Sequence, residues 1–208
     1  SASTEGSLSG CAGRSLMSGN LLVQNAMMVL PDGIVEGDLR VVEGLIETVA
    51  HQGGLQPREG EFVIDGTGLH LLPGAIDPHV HFREPGNPEK EDLESGSRAA
   101  AAGGITAFLD MPNTIPNATN RAALEAKIDS AAKKTVTHYG FFIGATTNNV
   151  SDLQSIEGME GICGIKIFMG SSTGDLLVHE QEHLEEIFAN TGGIIATHAE
   201  DEERLQMR

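Results

Sequence analysis

Two imidazoles and a guanidinium fall within five residues of one another in Asp77-Pro78-His79-Val80-His81-Phe82-Arg83-Glu84-Pro85-Gly86. The preceding run, Leu71 to Ile76, reads as a short buried strand, and Pro85-Gly86 ends the extended stretch. Residues two apart in a strand share a face, so His79 and His81 are predicted side by side, with Val80 and Phe82 opposite. Two imidazoles on one rigid strand end make half of a site for a divalent metal such as zinc. The tripeptide alone is weak evidence, because two histidines also meet on a strand by accident.

Three other chemistry-bearing residues recur at comparable places. Asn113 follows the apolar run Thr106–Met111, Lys166 lies inside Ile165-Lys166-Ile167-Phe168-Met169, and His198 ends Ile194–His198. A lysine in such a run is costly unless its amine meets a partner or is chemically altered. The plainer account is a lysine snorkelling from a strand end. The coincidence of these residues at equivalent positions is stronger evidence than any one of them.

The elements that must carry them alternate. Strands are predicted at Ala75–Phe82, Thr106–Met111, His138–Ile143, Gly164–Met169 and Ile194–His198. Helices are predicted at about Glu91–Ala102, Arg121–Lys133, Val150–Ile156 and His179–Asn190, with Gly103-Gly104 and Gly192-Gly193 as stops. Alternation of this kind argues a parallel sheet with helical cover. The expected fold is α/β: a partial (β/α)8 TIM-type barrel of the first five β/α units, preceded by a small β-sandwich module. A closed barrel takes roughly 250 residues, and its reactive groups sit at the C-terminal ends of strands, where His79, His81, Asn113, Lys166 and His198 fall.

Residues 1–19 are small, polar and aperiodic and read as a disordered leader. Residues 20–73 read as the N-terminal part of a small β domain. Its short runs are Leu21–Val23, Met27–Val29, Asp38–Val42, Leu45–Val49 and Phe62–Asp65, separated by turn residues. Residues 74–208 read as the first, truncated part of the barrel. His51 and His70 stand apart and read as surface or turn histidines.

Composition narrows the partners. The chain has 208 residues, 39% of them apolar and 21% charged, with a net charge of −17. That charge argues against nucleic acid and against an anionic membrane surface, both of which call for clustered Lys and Arg. Cys11 and Cys163 are the only thiols, and their placement predicts no bridge, which suits a reducing compartment. No apolar run reaches a membrane span and no signal peptide opens the chain; a cytoplasmic protein is expected, and a homo-oligomer stays open.

Here a family resemblance becomes specific. The run His79 to Gly86, Lys90-Glu91-Asp92, Ala101 to Thr106 and Asp110-Met111-Pro112-Asn113-Thr114 resemble the dihydroorotases of the amidohydrolase superfamily. So do Gly164 to Gly174 and Thr197-His198-Ala199-Glu200-Asp201-Glu202, and the likeness runs from about Leu21 to the last residue. The resemblance implies a two-zinc site. His79 and His81 would hold one Zn2+, His198 would help hold the second, and Lys166, carboxylated on its amine, would bridge them. A carbamate offers two anionic oxygens that span metals about 3.5–4 Å apart. It implies reversible hydrolysis of dihydroorotate to N-carbamoyl-aspartate in pyrimidine synthesis, with the anionic substrate's carboxylate held by Arg83 and Asn113. A guanidinium fork matches a carboxylate, and an amide can donate beside it. Read without the family, Arg83 could equally make a rim ion pair with Glu84 or Glu91, and Asn113 could be a turn residue. Hydantoinases and allantoinases are the nearest alternative. The family pattern also asks for a further histidine and a catalytic aspartate from later strands. Asp201, at the start of a following helix, does not fit that role, so the resemblance implies little or no hydrolysis by these residues alone. Ser171-Ser172-Thr173 reads either as a substrate loop or as a connector.

Two other classes compete. His179-Glu180-Gln181-Glu182-His183 matches the His-Glu-x-x-His helix of zinc peptidases, and Glu203 lies near where a third ligand could fall. The covering helix that carries it is expected to bury Leu184, Ile187 and Phe188, which favours a chance match. A non-catalytic amidohydrolase relative is the third reading, and retention of the four ligands His79, His81, Lys166 and His198 counts against it.

Overall fold

A computed structural model describes residues 19–208 apart from 171, 173, 202, 203 and 206. Almost all of the expected leader, Cys11, Glu203 and most of the Ser171–Thr173 stretch therefore lie outside the described residues. Two compact units divide between Gly74 and Ala75.

The first unit is one five-stranded sheet. It holds β1 (Leu21–Leu30), β2 (Gly33–Val42), β3 (Leu45–His51), β4 (Phe62–Asp65) and β5 (His70–Leu71), in the order β3-β2-β1-β4 with β5 also pairing β1. The runs Leu21–Val23 and Met27–Val29 belong to one strand, not two. A bulge between Val23 and Ala26 absorbs the polar pair that separates them. Asn25 takes a left-handed φ of 59° there, a conformation Asn tolerates better than most residues. Its N–H is held by the buried Asp38 carboxylate, whose other oxygen accepts from Leu55 N–H. Several apolar side chains on β3 and β4, including Leu45, Ile46 and Phe62, are exposed.

The second unit alternates as predicted. β6 (Ala75–Val80), α1 (Leu93–Ala102), β7 (Ile105–Asp110), α2 (Arg121–Lys134), β8 (His138–Gly144), α3 (Val150–Ser155), β9 (Ile162–Phe168), α4 (Gln181–Asn190) and β10 (Ile195–His198) follow in order. All five strands run parallel in the sequential order β10-β9-β8-β7-β6, a half-barrel sheet. Local chemistry sets the helix ends. Asp92 caps α1 in a reciprocal box with Ser95, and Asn120 caps α2 through Ala123 N–H; such caps satisfy donors that the helix cannot. Beyond α1, Gly104 takes a φ of 83°, the left-handed turn a side chain would resist.

Phe108, Phe141, Ile143, Ile165 and Ile167 build the core with Leu93, Leu124, Leu184 and Ile187 from the helices. Phe188, expected on the buried face of α4, is 52% exposed. The buried stripe is narrow, and Phe188 lies round the helix from Ile187.

Phe82 fixes the end of β6 to the helices. Its ring is buried, lies 4.6 Å from the Phe108 ring at a tilt of 58°, and occupies the notch left by Gly96 of α1. A Cβ at Gly96 would lie 2.6 Å from the Phe82 ring. Gly96→Ala should therefore cost about 1–3 kcal/mol through overpacking, read as a fall of roughly 2–4 °C in Tm per kcal/mol for a chain of this size.

Candidate active site

β6 ends at Val80, one residue before His81, and its pairing register with β7 shifts between Asp77 and Val80. The two histidines nevertheless meet as the alternation predicts. His79 Nε2 and His81 Nε2 are 3.2 Å apart, with ring centroids separated by 5.1 Å. His81 Nδ1 lies 2.7 Å from Asn113 Oδ1. An amide oxygen only accepts, so this contact makes Nδ1 the protonated nitrogen and leaves the Nε2 lone pair facing His79.

Lys166 sits in β9 at 2% exposure, turned inward and not out to solvent. Its Nζ lies 5.1 Å from the Phe168 ring centroid, and burial draws its pKa below the ordinary lysine value. A neutral amine has the lone pair that carboxylation needs. His198, the last residue of β10, pairs in register with Phe168, and their ring centroids are 6.2 Å apart. Its Nε2 is 3.3 Å from a Glu200 carboxylate oxygen.

The cationic groups act on one another. His79 is held below the usual imidazole value by burial first, then by the charges of Lys166, His81 and His198. His81 is lowered by burial, against the opposing Asn113 contact, and further by Arg83, Lys166 and Lys127. Both imidazoles are thus biased toward the neutral form that ligates metals. Among the described residues, no three His, Cys, Asp or Glu side chains gather closely enough to hold a metal by themselves; His79 and His81 are the compact nucleus.

Arg83 and Asn113 line a depression of about 470 Å³ with Asn87, Thr114, Ile115, Pro116 and Asn117. Neither Glu84 nor Glu91 pairs with Arg83 in the way a rim salt bridge would require. Glu84 is engaged elsewhere, accepting from Leu93 N–H, Ser130 Oγ and the Lys134 amine, while Glu91 offers Arg83 only its backbone carbonyl. A separate groove between α3, α4 and the N-terminal ends of β9 and β10 is lined by Gln154, Glu157, Cys163 and Asn190, none of them among the candidate ligands.

The His-Glu-x-x-His segment is not a helical site. α4 begins at Gln181, with Glu180 as its N-cap and His179 before it. The i, i+4 face that would align two ligands is never formed. Glu180 instead lies 3.1 Å from His179 Nδ1 and 3.6 Å from His183 Nδ1.

Sequence reasoning missed two residues. Asp110 and Lys127 form a buried ion pair of 2.7 Å beside the histidine pair. One signal was available: Lys127 lies on the stripe Leu124, Lys127, Ala131 that α2 buries.

Comparison with known proteins accords with this geometry. Residues 68–163 match the family described as dihydro-orotase-like. A dihydroorotase of Methanosarcina mazei is 35% identical over 188 residues, covering 89% of this chain and 41% of its own length. An allantoinase of Deinococcus radiodurans is 34% identical over 195 residues, covering 90% and 42%. The solved L-hydantoinase (dihydropyrimidinase) of Arthrobacter aurescens superposes with a TM-score of 0.82 at 28% identity, covering 91% of this chain and 42% of that one. With its half-barrel and its neighbours, the chain belongs to the amidohydrolase superfamily. Within it, the chain carries a dihydro-orotase-like domain and spans about two fifths of the length of these cyclic amidohydrolases.

Glu84 ties the loop after His81 to α1 and α2, and that tie depends on pH. Burial pushes its carboxyl upward, but the Lys134, Leu93 and Ser130 hydrogen bonds outweigh it and bring the pKa below the usual value. A carboxylate with a depressed folded pKa contributes stability above its unfolded value of about 4.3, lost as pH falls through the folded one. Glu84→Gln should be less stable than the parent at pH 7, and the gap should shrink in urea titrations below about pH 4.

Proposed function

We propose that the whole protein is a dihydroorotase, a zinc-dependent enzyme that opens a cyclic amide, and that this chain supplies part of its metal site and its substrate-anion site. The 3.2 Å approach of the two Nε2 atoms carries the reading. Ligand nitrogens about 2.0–2.1 Å from one tetrahedral zinc would lie roughly 3.3 Å apart, so the donor pair fits the ion. Asn113 supports this by keeping the proton of His81 on Nδ1. His79 and His81 would hold one Zn2+ and His198 would help hold the second, with Glu200 then giving up Nε2 of His198. Lys166, as its carbamate, would bridge the two. When bound, the metals supply a hydroxide near neutral pH and polarise the amide carbonyl.

The chain's own residues do the selecting. With Oδ1 of Asn113 accepting from His81, its NH2 remains to donate into the depression that Arg83 also lines. A guanidinium beside an amide donor suits a ring that carries a carboxylate. Dihydroorotate has that group, and hydantoin does not. This supports dihydroorotate over the substrates named for the hydantoinase and allantoinase relatives.

The test is a comparison of dihydroorotate, hydantoin and allantoin with the zinc-loaded whole protein. Dihydroorotate should give the highest kcat/KM, and Arg83→Met should lower it about 10- to 100-fold, the worth of a hydrogen bond to a charged group. Preferred turnover of hydantoin or allantoin, unaffected by Arg83→Met, would assign the protein to one of those activities.

A further inference from the structure

The backbone on either side of His81 is held by the end of β7, once through the sheet and once through a side chain. β6 has ended, so Phe82 N–H has no strand partner; it donates to Asp110 Oδ1 at 2.9 Å. On the other side of His81, Val80 carbonyl accepts from Met111 N–H at 3.0 Å. Two consecutive residues at the end of β7 thus clasp the residue on either side of one imidazole.

The second Asp110 oxygen accepts from Lys127 Nζ at 2.7 Å, and the same ammonium donates to Met111 carbonyl at 3.1 Å. It also lies 4.8 Å over the Phe141 ring. Asp110 is fully buried and Lys127 is 2% exposed. A buried ion pair is a poor stabiliser, because desolvation cancels much of its attraction and apolar residues of similar volume often do as well. An apolar pair could not, however, accept the Phe82 N–H.

We propose that Asp110 is a positioning residue for the His79–His81 pair, acting through Phe82 N–H, with Lys127 serving to neutralise its buried charge. The metal consequence rests on the zinc reading above; the backbone consequence does not. Groups that orient ligands in this way commonly change metal affinity by about 10- to 100-fold when removed.

Two double variants separate positioning from bulk stability. Asp110→Asn/Lys127→Met removes the charges but keeps an oxygen to accept Phe82 N–H. Asp110→Leu/Lys127→Met removes the acceptor as well. Both are measured in the full chain by amide hydrogen exchange at Phe82, by zinc affinity against a chelator, and by Tm. In the leucine variant, Phe82 exchange should quicken at least tenfold and zinc affinity should fall about 10- to 100-fold. In the asparagine variant both should stay within about threefold of the parent, whatever the Tm of either. Equal behaviour of the two variants, or parental exchange at Phe82 in the leucine variant, would overturn the proposal. If the leucine variant does not fold, exchange in the parent decides: Phe82 should be protected well beyond the exposed amides of the loop that follows, and equal exchange would overturn the proposal. A parent that binds no zinc, with the exchange result as expected, would remove the metal reading and leave the clasp standing.

Discussion

A charge removed from water must find a partner, and the half-barrel is arranged around one place where this has happened. Asp110 and Lys127 neutralise each other beneath the end of β6, and each also holds backbone that no strand ladder reaches. Phe82 N–H and Met111 carbonyl are both satisfied there. Unpaired, those groups would each carry a desolvation cost of about 1–3 kcal/mol. The turn that aims His81 exists because side chains do the hydrogen bonding that a strand would otherwise supply.

From that point the site is assembled in opposing directions. Phe82 drives its ring into the Gly96 notch on the core side, while His81 faces Asn113 and His79. Glu84, two residues on, fastens the outgoing loop to α1 and α2. His81 and Arg83 thus face the candidate site, while Phe82 and Glu84 anchor the segment to the core and the helices. That explains how a short segment can be held rigid while presenting polar groups.

The alternation of strands and helices was legible because its punctuation is local: paired glycines end α1, and Asn120 and Asp92 begin helices from their own side chains. The adjacency of His79 and His81 was equally legible, since it needs only a two-residue repeat. What could not be read was anything whose partner lies on another element. Lys127 was visible as a cation on an apolar stripe, but Asp110 is on a different strand and no local rule joins them. The bulge at Asn25 hid in the same way, because the Asp38 carboxylate that stabilises it belongs to the neighbouring strand. The motif in His179–His183 failed for a related reason. Its spacing is meaningful only on a helix, and the helix starts two residues too late.

The sequential strand order leaves β6 and β10 as the outer members of the sheet. His79 rides on one margin and His198 on the other. Three strands lie between them, so the spacing of the two imidazoles is fixed by how β7, β8 and β9 pack side by side.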